Sequence, residues 1–167
     1  MKIRGQALKL GDNINTDFII SGRYKFAITD IKELAKHIME DIDADFPKKI
    51  IPGHSLIVSG KNFGMGSSRE QAPLVIKEAG IQAVLAPSFA RIFYRNAFNI
   101  GLPLIELDTR GIGEADTLEI DLEKGIVRNL TKGSEITVSP FPKFMQQLLS
   151  EGGIINYLKK HGELKLS

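Results

Sequence analysis

The sequence predicts an α/β fold, and three observations lead there. Apolar runs at 54–59, 81–86 and 102–107 have the length of strands. Between them apolar residues recur at helical spacing, first Ala72, Val75, Ile76 and Ala79, then Phe89, Ile92, Phe93, Ala97 and Ile100. Glycines stand where each helical stretch closes, at Gly80 and Gly101. Strands alternating with helices of this length imply a parallel βαβαβ unit with right-handed crossovers, and ligands of such sheets gather at the C-terminal ends of the strands. From about residue 113 the character changes to short β-forming stretches at 117–122, 126–130 and 134–139. Glu-Lys-Gly and Thr-Lys-Gly turns separate them, which reads as an antiparallel meander. At 167 residues, 43% hydrophobic and 25% charged, the chain has the length and composition of one ordinary globular domain, 1–167.

Taken in order, Ile3, Ala7, Leu8 and Leu10 mark a first short strand. Gly11-Asp12-Asn13-Ile14-Asn15-Thr16-Asp17 follows, a cluster of turn formers whose side chains bond their own backbone. Residues 18–28 read as a loop of mixed character. Asp30 and Glu33 have capping-box spacing, and Ile31, Leu34, Ala35 and Ile38 predict a helix to about Met39. Residues 41–49 are polar and read as a loop, and Pro52-Gly53 is a turn ahead of the strand at 54–59. Ser67 and Glu70 again have capping-box spacing, which places the next helix start at Ser67 or Ser68. Pro73 cannot donate to the carbonyl of Arg69, so it demands either a kink or a later start. Ser88 is the predicted cap of the helix running to Ile100. Two short helices, split at Gly152-Gly153, are expected near the C-terminus, with Gly162 ending the second.

The loop Gly60-Lys61-Asn62-Phe63-Gly64-Met65-Gly66-Ser67-Ser68-Arg69-Glu70 joins a strand to a helix at such a C-terminal end. Its glycines permit positive φ and a close approach of backbone to ligand. A helix start exposes unpaired N–H groups that favour a carboxylate or phosphate, and Arg69 adds a planar fork that suits a carboxylate. Known phosphate signatures do not fit: Gly66 stands before Ser67 where a P-loop needs lysine, and Arg69 occupies the third glycine position of a dinucleotide fingerprint. Nor is there a Gly-x-Ser-x-Gly elbow for a hydrolase serine. The same glycines also serve strand-to-helix junctions that bind nothing. The aromatic residues of 88–101 have core spacing, while Arg91, Arg95 and Asn96 are either solvated or line a site.

Composition narrows the chemistry. The net charge of +2 gives little reason to expect nucleic acid. No stretch reaches the ~20 apolar residues of a membrane span, and no signal-peptide core is evident at the start, so the expected location is the cytoplasm. Zero cysteines exclude disulfides, a thiol nucleophile and thiolate ligation of an iron–sulfur cluster by this chain. His37, His54 and His161 have no zinc-type spacing, so no metal site is assigned to the chain.

Gly60-Lys61-Asn62-Phe63-Gly64-x-Gly66-Ser67-Ser68-Arg69-Glu70-x-Ala72 resembles the signature of the aconitase-type hydro-lyases, in their swivelling β/β/α domain. The run Ser88-Phe89-x-Arg91-Ile92-Phe93-x-Arg95-Asn96 is similar to a second segment of that family, and size and element order fit over nearly the whole chain. In the two-subunit branch, that of 3-isopropylmalate dehydratase and homoaconitase, this domain is a separate small subunit. The resemblance implies a partner large subunit carrying a [4Fe–4S] cluster, and a small di- or tricarboxylate substrate. It implies Ser67 and Asp17 as catalytic residues, with Ser67 the base and Asp17 ending the family's other active-site stretch. For substrate binding it implies Ser68, Arg69, Gly64 and Gly66, together with Arg23, Tyr24, Lys25 and Phe26. In that family the residues just after the tyrosine, here Lys25-Phe26-Ala27 after Tyr24, form a mobile loop that contacts the group distinguishing one substrate from another. Phe26 suits an alkyl group and Lys25 an extra carboxylate. The implied reaction is reversible dehydration and rehydration of a 2-alkylmalate in leucine biosynthesis, 2-isopropylmalate to 3-isopropylmalate. Homoaconitate and dimethylmalate or citramalate are alternative substrates of the same chemistry, and a non-catalytic small-anion binding module is an alternative of another class.

Overall fold

The computed structural model describes residues 1–67 and 69–164. Its centre is a seven-stranded mixed sheet in the order β4-β3-β2-β1-β5-β6-β7. β1 (Lys2–Lys9), β2 (Ser55–Val58), β3 (Ile81–Ala86) and β4 (Leu104–Glu106) pair in parallel with one another in that order. β5 (Thr117–Asp121) returns antiparallel along the free edge of β1, and β6 (Ile126–Asn129) and β7 (Ser134–Thr137) complete the meander. The predicted antiparallel strands therefore continue the parallel sheet rather than form a separate layer.

The sheet is covered on both faces where it is parallel. Ile57, Val84 and Ala86 point into one apolar cluster with Ile19, Ile20, Val75, Ile76 and Phe93. Leu56, Val58, Ala83 and Leu85 point into the other with Ile3, Leu118, Ile120 and Leu149. Burial on both faces is why β2 and β3 read as unbroken apolar runs, with no alternation. β5 alternates, with Leu118 and Ile120 buried between the more open Thr117 and Glu119.

Eight helices connect and flank the strands among the described residues: α1 (Thr16–Ile19), α2 (Gly22–Lys25), α3 (Ile31–Ala35) and α4 (Phe46–Lys49) before β2, α5 (Gln71–Glu78) before β3, α6 (Arg91–Asn99) before β4, then α7 (Lys143–Ser150) and α8 (Ile154–His161). The first two occupy what reads as loop, because a turn-former cluster conceals short helices capped by Asn15 and Ser21. α3 stops at Ala35, short of Met39, whose φ of +58° and N–H bond to the Ile19 carbonyl (2.9 Å) end the helical path. The polar stretch at 41–49 holds α4, with Pro47 in its first turn.

Two predicted helix starts are corrected. α5 begins at Gln71, so the capping box of Ser67 and Glu70 is not used and Pro73 lies in the first turn, where its missing N–H has no intrahelical partner to lose. α6 begins at Arg91 with no side-chain cap, because the Ser88 hydroxyl instead accepts the N–H of Asn62 at 2.8 Å.

Beyond β4 the chain is pinned to the meander by Asp116, which is 6% exposed. Its carboxylate accepts from Asn129 Nδ2 and from the Gly113 N–H, both at 2.8 Å. The Asn129 bond first, then the Gly113 bond, holds this carboxyl below its ordinary pKa. A lowered folded-state pKa contributes stability above the unfolded value near 4, and that contribution disappears as pH falls through the folded one. Asp116→Asn is expected to destabilise the fold at pH 7, with a gap from wild type that narrows as pH falls below ~4. Urea unfolding of both proteins at pH 7 and pH 3 checks this, and a gap of constant size refutes it.

Candidate active site

Three loops leave the C-terminal ends of β1, β2 and β3 and run side by side. The glycine loop is the middle one. On one side it bonds to the loop after β1: Gly60 N–H to the Gly11 carbonyl (3.0 Å), Asn13 N–H to Lys61 (2.8 Å), Gly64 N–H to Ile14 (2.8 Å) and Thr16 N–H to Met65 (2.9 Å). The Asp12 carboxylate also accepts the Lys61 N–H at 2.8 Å. On the other side, Phe63 N–H donates to the Ser88 carbonyl (3.1 Å) and Ala90 N–H to the Phe63 carbonyl (2.9 Å). Phe63 is fully buried and meets Phe89 and Phe93 edge to face.

This alignment needs glycine where the backbones press on side chains. Gly64 has φ +83° and faces the Phe93 ring so closely that a Cβ would overlap it. Gly66 has φ +92°, and a Cβ there would lie 2.6 Å from Asn15 Oδ1. Asn15 Oδ1 in turn caps α1 by accepting the Asp17 N–H at 2.8 Å.

α1 then touches the far end of the glycine loop twice. Thr16, 1% exposed, donates its hydroxyl to the Ser67 carbonyl at 2.9 Å. Asp17 Oδ1 meets Arg69 Nη2 at 2.9 Å. Arg69 has only 18% of its side chain exposed, and its Nη1 is buried without a hydrogen-bond partner. A buried donor left unpaired costs ~1–3 kcal/mol, so the guanidinium is set up for an acceptor. The cavity beside it, about 220 Å³, is walled by Ser67, Gly64, Gly66, Arg91, Ile92 and Asn96 with their neighbours. A broader, open depression of about 540 Å³ adjoins Asp12, Lys61, Asp108 and Arg110. There the Arg110 guanidinium is already engaged, holding the Asp108 carboxyl at about 2. The smaller cavity, with a donor still to satisfy, is the candidate site.

Of the residues predicted from sequence, the structure brings together Ser67, Gly64, Gly66, Arg69 and Asp17. Ser68 lies outside the described residues. Ser67 is not the start of a helix but stands four residues ahead of α5, which begins at Gln71. Arg23, Tyr24, Lys25 and Phe26 do not line the cavity. Arg23 pairs with Asp41 at 2.6 Å, Lys25 Nζ lies 5.3 Å from the centre of the Phe26 ring, and Phe26 is 80% exposed. Sequence reasoning missed Asn15, Thr16 and Ile92. The first two were hidden among turn formers, and Ile92, half exposed on α6, was counted as core. Arg91 and Asn96, left open between solvent and site, wall the cavity.

A family model described as the aconitase C-terminal domain matches residues 2–110, so this sheet, with its glycine loop and half-satisfied arginine at the parallel strand ends, is an aconitase-type domain. A 3-isopropylmalate dehydratase small subunit from Archaeoglobus fulgidus is 58% identical over 99% of this chain and 100% of its own length. One from Thermotoga maritima is 56% identical over 96% of each chain. The crystal structure of 3-isopropylmalate dehydratase from Methanocaldococcus jannaschii superposes with a TM-score of 0.90, at 49% identity, covering 97% of this chain and 96% of that one. The chain belongs to the family of 3-isopropylmalate dehydratase small subunits, within the aconitase C-terminal domain family.

Gly66→Ala is expected to lower stability by ~1–3 kcal/mol through its backbone strain alone, with a further loss if Asn15 is forced off its cap. Gly11→Ala, whose Cβ meets nothing within 4 Å, serves as control. Thermal unfolding of the two variants separates them, and equal midpoints would show that the Gly66 contact with Asn15 constrains nothing.

Proposed function

We propose that this chain is the small subunit of a heteromeric hydro-lyase that interconverts 2-isopropylmalate and 3-isopropylmalate by dehydration and rehydration, a step of leucine biosynthesis. It acts as a single swivelling domain, in the cytoplasm, closing the active site of a large subunit. The observation that carries this reading is Arg69, which walls a cavity together with Ser67 and whose Nη1 is buried without a hydrogen-bond partner.

A [4Fe–4S] cluster belongs to the large subunit in this reading, since the chain has no cysteine to hold one. When bound, the cluster supplies Lewis-acid assistance to the departing hydroxyl. The remaining work falls to this chain. Arg69 Nη1 receives a substrate carboxylate, with Asp17 fixing the guanidinium through Nη2. Ser67 Oγ, as alkoxide, takes the proton from the substrate carbon, and the C–H electron pair becomes the double bond as hydroxide leaves the adjacent carbon. Return of proton and hydroxide with the two carbons exchanged gives the isomer. A serine hydroxyl is too weak an acid to ionise unaided, so it needs the positive field of Arg69. Thr16 holds the Ser67 backbone in place. The segment Arg23–Phe26 stands outside the cavity of this chain alone, and the resemblance assigns to it the reading of the group that distinguishes one alkylmalate from another.

The test is turnover of the anaerobically reconstituted complex on 2-isopropylmalate, homocitrate and 2,3-dimethylmalate. Activity is expected on 2-isopropylmalate, with Ser67→Ala lowering kcat by roughly 10²-fold or more while assembly persists. Normal turnover by Ser67→Ala would overturn the role of that serine, and activity confined to homocitrate would move the assignment to homoaconitate hydration.

A further inference from the structure

The segment Arg23–Phe26 is positioned with little help from the core. α2 contributes no buried residue, Phe26 is exposed, and within the segment only Tyr24 reaches the apolar cluster, at its partly buried edge. The Ser21 hydroxyl caps α2 by accepting the Arg23 N–H at 3.3 Å, and the other side-chain contacts that hold the segment come from the turn that follows α3. The Tyr24 ring stacks on His37 with centroids 3.8 Å apart and planes 9° from parallel. Arg23 Nη2 meets Asp41 Oδ1 at 2.6 Å. Glu40 meets His37 Nδ1 at 3.0 Å, and the same carboxylate, hydrogen-bonding toward the Tyr24 phenol, raises that phenol above its ordinary pKa.

The turn itself is firmly seated. Ile38 and Met39 are fully buried, and Met39 N–H donates to the carbonyl of Ile19 at the end of α1. α1 is the helix whose first residues touch Ser67 and Arg69. One seated turn therefore joins the helix that grips the glycine loop to the segment that stands outside the core.

We infer that His37, Glu40 and Asp41 are positioning residues that set where Arg23–Phe26 stands relative to the site, and so select among 2-alkylmalates without touching substrate. This rests on the functional reading given above. A ring stack fixes the plane of Tyr24, and a salt bridge on the adjacent residue fixes rotation of α2 about its axis, so the pair defines an orientation that neither contact gives alone. Loss of the stack leaves the serine and arginine in place but lets the segment vary, which degrades discrimination more than turnover.

Two measurements test this. In the reconstituted complex, His37→Ala is expected to change the ratio of kcat/KM between 2-isopropylmalate and 2,3-dimethylmalate by roughly tenfold, while His37→Phe, which retains a stacking ring, restores it. Asp41→Asn is expected to move the ratio the same way by less, and it covers the case in which His37→Ala fails to fold. The chain has no tryptophan, so Phe26→Trp places a single reporter in the segment of the full chain. Its fluorescence anisotropy is expected to fall when His37→Ala is added. An unchanged anisotropy, or a loss of kcat/KM equal for both substrates, overturns the inference. Absence of turnover on every 2-alkylmalate by the unsubstituted complex overturns the functional reading and the selection role with it, whereas an unchanged ratio in an active complex overturns the selection role alone.

Discussion

The lateral bonding of the glycine loop to the loops on either side of it is the constraint on which the site depends. A loop rich in glycine has little conformational preference of its own and would lose much entropy on ordering. Here its backbone groups are taken up by Gly11, Ile14 and Thr16 on one flank and by Ser88 and Ala90 on the other. The sheet is thereby extended, without regular strand geometry, past the ends of β1, β2 and β3. Because all three strands are parallel, their ends lie at one edge, and residues distant in sequence such as Asp17, Ser67 and Asn96 come to the same place.

That alignment also explains how an unsatisfied arginine is tolerated. Arg69 is part of the cavity wall, with one nitrogen held by Asp17 of α1 and another buried without a partner. The parallel sheet beneath it is apolar on both faces, and the aromatic trio of Phe63, Phe89 and Phe93 closes the layer between sheet and loops. Stability from that packing offsets a local cost that a binding site benefits from, since a carboxylate entering the cavity gains a charge-assisted donor.

Much of this was legible in the residues. Runs such as 81–86 carried the parallel strands because burial on both faces leaves no polar alternation, and Gly80, Gly101 and Gly162 stood at helix ends as their backbone demands. The glycine loop, Ser67 and Arg69 were visible because their residue types are costly elsewhere. What was not legible is where side chains choose between two legitimate partners. Ser88 could cap α6 or accept from Asn62, and tertiary contact chose the second. The capping-box spacing of Ser67 and Glu70 was overruled by Pro73 and by the pull of Thr16 on the Ser67 carbonyl. Residues 18–28 concealed two helices of a single turn each, too short for a periodic signal.

The order of strands bears on how the chain comes to be made. β1 is the hub of the sheet: Gln6 pairs with Ser55 on one side and with Thr117 on the other. During synthesis the first strand thus waits, with both edges open, for partners that emerge much later, and the second edge is the last to be closed. A strand with unpaired N–H and C=O groups is a template for the wrong neighbour. The alternating Lys2, Arg4 and Gln6 on its exposed face are well placed to keep nascent copies apart until β5 arrives.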